Sequence, residues 1–165
     1  MKVIAVFMSF CLLSVVALAQ AGPVKSFEST KGIEISSGYS MLHDSGGIEH
    51  GISATVQGHI NNYLSGVVDV GGYSQHGLKT FIYAGGPQLT YRKTRYQPFA
   101  RLLVGGTRLS YDGYSFNGFV YGGGGGLDIR LNHGLALRVS EDFIHNRDLG
   151  NVGKMGLGIS YRFSH

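Results

Sequence analysis

The strongest constraint on this chain is a two-residue period that recurs almost to its last residue. From Lys154 to Phe163, Met155, Leu157, Ile159, Tyr161 and Phe163 share one parity, and Gly156, Gly158, Ser160 and Arg162 the other. Successive side chains leave a pleated backbone on opposite faces, so this is a strand with one wholly apolar face. The chain stops two residues later, and such a strand must pair with one already formed.

The same pattern predicts eight strands. The first spans Gly32–Met41, with Ile33, Ile35, Tyr39 and Met41 opposite Glu34, Ser36, Gly38 and Ser40. The next three are Gly51–Ile60, Leu64–Tyr73 and Lys79–Tyr91. The fifth, Pro98–Leu109, is less clean, because Phe99 and Leu103 share the parity of Arg101. Gly118–Leu131, Leu135–Phe143 and Lys154–Phe163 complete the set. Two residues conflict with the pattern. Pro87 cannot donate to a ladder and predicts a bulge. Glu141 falls on the apolar parity of its strand, which calls for a bulge or a place above the apolar zone.

Leu42–His50, Ser74–Leu78, Ser110–Asn117 and His145–Asn151 read as polar, Gly-rich loops, whereas Asn61–Tyr63 and Asn132–Gly134 read as tight turns. An even strand count, with short turns at one end and longer loops at the other, is the arrangement of a transmembrane β-barrel. Both termini then lie at the short-turn, periplasmic end. In hydrocarbon every unpaired backbone group costs several kcal/mol, so the sheet must close.

Alternation alone does not say which face is outside. The polar parity is mostly Gly, Ser, Thr and Ala, which suits the narrow interior of eight strands. Charged residues make up only 15% of the chain, against roughly 25% in ordinary soluble domains. Tyr39, Tyr73, Tyr91, Phe119, Tyr161 and Phe163 fall near strand ends, as interface girdles do. The apolar parity is therefore expected to face lipid. Glu34, Asp69, Arg101, Asp128, Arg130, Arg138, Asp142 and Arg162 then point inward, four acids and four bases. A lone buried charge is expensive, so they are expected to pair and leave no open channel.

Residues 1–21 read as a secretory signal peptide: Lys2, an apolar run from Val3 to Val16, and small-x-small sites ending at Ala19 and Ala21. The only cysteine, Cys11, would leave with it. Residues 22–31 form a short lead-in, and residues 32–165 the barrel domain. The net charge of +4 is scattered, with no basic run to suggest nucleic acid.

Taken in order, Gly38-Tyr39-Ser40, Gly86-Pro87, Pro98-Phe99-Ala100 and Gly124 to Asp128 resemble the small outer-membrane β-barrel domain proteins, the OmpA-like group, over nearly all of Gly32–Phe163. The resemblance implies a closed, antiparallel, up-and-down eight-stranded barrel in the outer membrane of a Gram-negative-type bacterium. It implies a monomer among membrane lipid and lipopolysaccharide, delivered by periplasmic chaperones and folded by the barrel-assembly machinery. That machinery recognises a final strand ending in an aromatic, here Tyr161 and Phe163, although Ser164 and His165 follow.

Three chemistries compete with a non-enzymatic envelope role. The Gly122–Gly126 run lacks the following helix and the Lys-Ser or Lys-Thr step of a phosphate loop. A lipid A deacylase would need a serine where Arg147 stands, two residues after His145. Ser140 falls on the opposite parity from Glu141 and His145. His43, Asp44, Glu49, His50, His76 and His145 match no compact metal spacing. The expectation is no catalytic residue, no cofactor and no metal.

Overall fold

A computed structural model describes residues 32–44, 47–75, 77–92, 95–111, 114–132, 134–146 and 150–164. The expected signal peptide and lead-in lie outside the described residues. The strands are β1 (Gly32–Asp44), β2 (Gly47–His59), β3 (Leu64–Gln75), β4 (Leu78–Thr90), β5 (Tyr96–Tyr111), β6 (Tyr114–Arg130), β7 (Leu135–Asn146) and β8 (Gly150–Ser164). They form one closed ring in sequence order. β8 returns antiparallel to β1, from Gly32 opposite Ser164 to His43 opposite Gly153. No sheet edge remains, as closure requires.

The strands run further than the apolar alternation indicated. Residues read as loops are ladder pairs: Leu42 faces Glu49, His43 faces Ile48, and Ser110 faces Ser115. Only residues 45–46, 76–77, 112–113 and 147–149 separate the strands at that end. An antiparallel ladder persists in water without an apolar face, so binary patterning reports only the stretch that needs one. The turns there are tight enough to use left-handed glycines, Gly77 at φ 87° and Gly150 at φ 84°.

Pro87 makes no bulge. Gly85 pairs with Val104 and Gln88 with Arg101, so three steps on β4 match three on β5. The two intervening pairs are missing from that ladder, while Gly66 still faces Pro87 across β3. The proline interrupts one ladder without shifting register. Nor is there a bulge at Glu141, whose pairs with Gly125 and Met155 lie in unbroken ladders. Its side chain is half-buried on the outer surface between Val139 and Phe143.

The barrel is inside out relative to a soluble one. Among the described residues 21 polar or charged side chains are buried, against 10 apolar ones. Ile52, Val68, Leu89, Leu102, Leu157 and Ile159 lie exposed on the outer wall. Tyr91, Tyr96, Tyr161 and Phe163 flank this band at the termini end; Tyr39, Phe81, Tyr83, Phe119 and Tyr121 flank it at the other. Tyr73 does not join them. It shares the inward parity of Asp69, four residues earlier, and is 3% exposed. Its ring folds over Gly71, and its hydroxyl accepts a hydrogen bond from Ser40 Oγ at 3.1 Å.

Candidate functional site: the charged lumen

The interior is layered. At the far end from the termini, Leu42, Tyr73, Ile82, Val120 and Ile144 form an apolar cluster with Val152 against it. Each lies on the inward parity of its strand, where a turn towards solvent would otherwise leave the lumen open.

Beneath it is a quartet from β3, β5, β7 and β8. Arg101 grips Asp142 with a two-pronged contact, Nε to Oδ1 at 2.8 Å and Nη2 to Oδ2 at 2.6 Å. Arg101 Nη2 is also 3.6 Å from Asp69 Oδ2. Lys154 Nζ donates to Asp69 Oδ1, and Thr55 Oγ1 donates to Oδ2 at 2.8 Å. The Arg101–Asp142 fork spans β6, because both residues pair with Gly124. A side chain there would occupy the space the ion pair uses.

The third layer, nearest the termini, centres on Glu34. Oε1 accepts from Arg138 Nη2 at 2.9 Å and Ser160 Oγ at 2.7 Å. Oε2 accepts from Arg130 Nη2 at 2.5 Å and from Arg162 Nη2 and Nε at 3.0 and 3.1 Å. Arg138 also forks onto Asp128, Nε to Oδ1 and Nη2 to Oδ2, both at 2.7 Å. Its guanidinium lies 5.0 Å from the Phe99 ring centroid, a cation–π distance. That contact explains an aromatic on the inward parity of β5.

The eight charged residues singled out in the sequence thus all lie inside the ring, and all are buried. Sequence reading missed Lys154, Arg92 and His59. Lys154 shares the inward parity of β8 and was legible by that rule. Arg92 lies just beyond β4 but continues the inward parity of Gln88 and Thr90, so extending the alternation past the apolar band would have found it. It donates to the carbonyls of Asn61 and Asn62 at 3.3 and 2.7 Å and to Ser65 Oγ at 2.6 Å. Burial, then the Arg162 charge, pulls the Arg92 guanidinium down to about 10, which still leaves it cationic at neutral pH. With these two additions six bases enter the described lumen rather than four, and Glu49, on the inward parity of β2 with one carboxylate oxygen buried, joins the four acids read from the sequence.

A cavity of about 20 Å³ lies among Ser36, Thr55, Asp69, Arg101, Arg138 and Ser140. A single water needs roughly 10–15 Å³, so this cavity has room for about one. Asp142→Asn should strip the fork from a 4%-exposed Arg101. The expected loss is roughly 3–5 kcal/mol of unfolding free energy, read from urea titrations followed by circular dichroism in detergent.

The residues weighed for catalysis or metal binding do not converge. Ser140 lies on the inward face and Glu141 and His145 on the outward one. His145 Nδ1 is 2.7 Å from Asn151 Oδ1, and its ring is 5.0 Å from that of Tyr121. His50 stacks on Tyr39. His76 and the Asp44 side chain lie outside the described residues. Among the described residues, no three of His, Cys, Asp and Glu come together as a metal site.

A closed eight-stranded antiparallel ring with an apolar outer band and a polar, filled interior defines the small outer-membrane barrel fold. Solved structures share it. The outer membrane protein OprG of Pseudomonas aeruginosa matches at a TM-score of 0.65 and 10% identity, over 84% of this chain and 98% of that one. The N-terminal β-barrel domain of Pseudomonas aeruginosa OprF matches at 0.67 and 12%, over 82% of this chain and all of that one (100%). Ail, the attachment invasion locus protein of Yersinia pestis, matches at 0.59 and 19%, over 82% and 100%. At these identities the likeness carries the fold alone. No protein-family model matches the chain, and no curated protein matches it by sequence.

Proposed function

We propose that this chain is a non-enzymatic outer-membrane barrel of a Gram-negative-type envelope. Its lumen is a structural brace, and its function lies in envelope integrity or in contacts made by the outer hairpins. One observation carries this reading: the apolar surface is outside and the charged surface inside, a distribution stable only with hydrocarbon around the wall. The aromatic rows at both ends of that wall support it, as interfacial anchors. Lipopolysaccharide and outer-membrane lipid are then its surroundings. Tyr161 and Phe163, whose rings meet edge to face at 4.8 Å, close the last strand and would present the assembly signal.

The test has three readouts on one preparation. Urea-washed outer membranes should contain the chain in a form that changes gel mobility only after heating. Planar bilayers should show no stable, large unitary conductance, because the lumen is filled by side chains. Lipid A from cells with and without the protein should have the same acyl pattern by mass spectrometry. A freely soluble periplasmic chain would overturn the membrane reading. A changed acyl pattern would install a lipid A-modifying enzyme in its place.

A further inference from the structure

The lumen charges balance in one layer and not in the other. In the quartet Arg101 and Lys154 meet Asp69 and Asp142. At the termini end, Arg130, Arg138 and Arg162 pair with Glu34 and Asp128, and Arg92 has no carboxylate within ion-pair distance among the described residues. Four cations face two carboxylates in a space largely withdrawn from water. Charge of one sign in such a place calls for a counter-charge.

Unused donors mark where it would sit. Arg92 Nε, Arg130 Nη1 and His59 Nε2 are buried and have no hydrogen-bond partner among the described residues. They belong to one cluster. Arg130 Nη2 and His59 Nε2 stand 2.5 and 3.9 Å from the same oxygen, Glu34 Oε2. Arg92 Nη2 donates to His59 Nδ1 at 2.9 Å. An imidazole accepting at Nδ1 carries its hydrogen on Nε2, so Nε2 is an unmet donor rather than an idle acceptor. The His59 and Arg130 side chains are 2% and 3% exposed.

The engaged atoms select the ligand. Arg130 spends Nη2 on Glu34 and Nε on Gln97. Arg92 spends Nη1 and Nη2 on carbonyls, Ser65 and His59. Arg92 has no paired nitrogens left for the two oxygens of a phosphate or carboxylate, which favour two-pronged contacts, and Arg130 keeps only Nη1 wholly unengaged. What remains is one nitrogen from each of three side chains, which suits a monatomic anion.

We propose that a chloride-type halide ion binds at the termini-end mouth of the lumen, held by Arg92, His59 and Arg130. It offsets part of the positive charge there and ties Arg92, the residue covering the mouth, to the β2 and β6 walls.

The test uses the chain refolded in octyl glucoside, its barrel state verified by the heat-dependent gel shift. Urea unfolding is followed by circular dichroism in sodium chloride and sodium gluconate mixtures of constant ionic strength. The midpoint should rise with chloride and saturate; bromide should substitute and phosphate should not. In Arg92→Gln and in His59→Phe the apparent chloride affinity should fall by at least about tenfold, the loss of one hydrogen bond to a charged partner. A general loss of stability would lower the midpoint in both salts and leave the chloride dependence intact. If one variant fails to fold, the other answers the same question. Equal wild-type midpoints in chloride and gluconate would overturn the proposal, as would stabilisation by phosphate alone or undiminished chloride dependence in the variants. Because the barrel state is checked first, such a failure would leave the membrane reading untouched.

Discussion

Glu34→Gln should be the most damaging single charge substitution in this chain. The amide keeps the shape but removes the one carboxylate that Arg130, Arg138 and Arg162 share. Arg138 retains Asp128, whereas Arg130 and Arg162 keep no anionic partner within ion-pair distance among the described residues. Removing one side of a buried pair typically costs roughly 3–5 kcal/mol, because the other charge stays buried and unmet. Total stabilities of small domains are about 5–15 kcal/mol, so a loss of that size removes a large share of the folded population. The expected outcome is a chain that refolds poorly in detergent, shows little heat-shifted band and unfolds at a much lower urea midpoint. Adding Arg130→Gln to Glu34→Gln should recover part of the loss by removing one of the stranded cations. An unchanged midpoint in the single variant would mean that water, not Glu34, satisfies these arginines.

The shape of the molecule was legible because one rule, alternation, governs every strand and one face of each must be apolar. That rule gave the strand count, the ring and the inward direction of all eight charges. It failed where its premise fails. Beyond the apolar band the ladder carries on without a greasy face, so Leu42–Asp44 and Tyr111 looked like loops although they pair. Residue type suggests an outer row for Tyr73, although its parity with Asp69 places it inside. A proline's missing donor suggests a bulge at Pro87, yet a ladder tolerates a missing bond without slipping register. The lumen was the harder part. Parity tells which residues enter the barrel but not which of them meet across it. Glu34 and Arg138, 104 positions apart, are joined by closure alone. Arg92 reaches in from outside any strand, and with it the expected balance of charge gave way to an excess of cations.

The run Gly122–Gly126 is where sequence and lumen meet most directly, and Gly124→Val should show it. β6 passes so close to β7 that a Cβ at Gly122, Gly124 or Gly126 would overlap the carbonyl oxygens of Phe143, Glu141 or Val139 respectively. Glycine there is a condition for the tight wall of a narrow barrel rather than a flexible hinge. At Gly124 the conflict is double, because the added carbon would also strike the Asp142 carboxylate that Arg101 holds. The strand must move off β7, or the ion pair must open and leave two buried charges apart. Either route costs roughly 3–5 kcal/mol, the range for a broken buried pair. Gly66→Val provides the contrast, since a Cβ at Gly66 meets nothing within 4 Å and points to the outer wall. Surface changes of that kind usually stay within about 0.5 kcal/mol. Urea midpoints in the same detergent should therefore fall steeply for Gly124→Val and hardly at all for Gly66→Val. Equal effects at the two positions would mean that the glycines serve chain flexibility in general, and that the close approach of β6 to β7 is not what requires them.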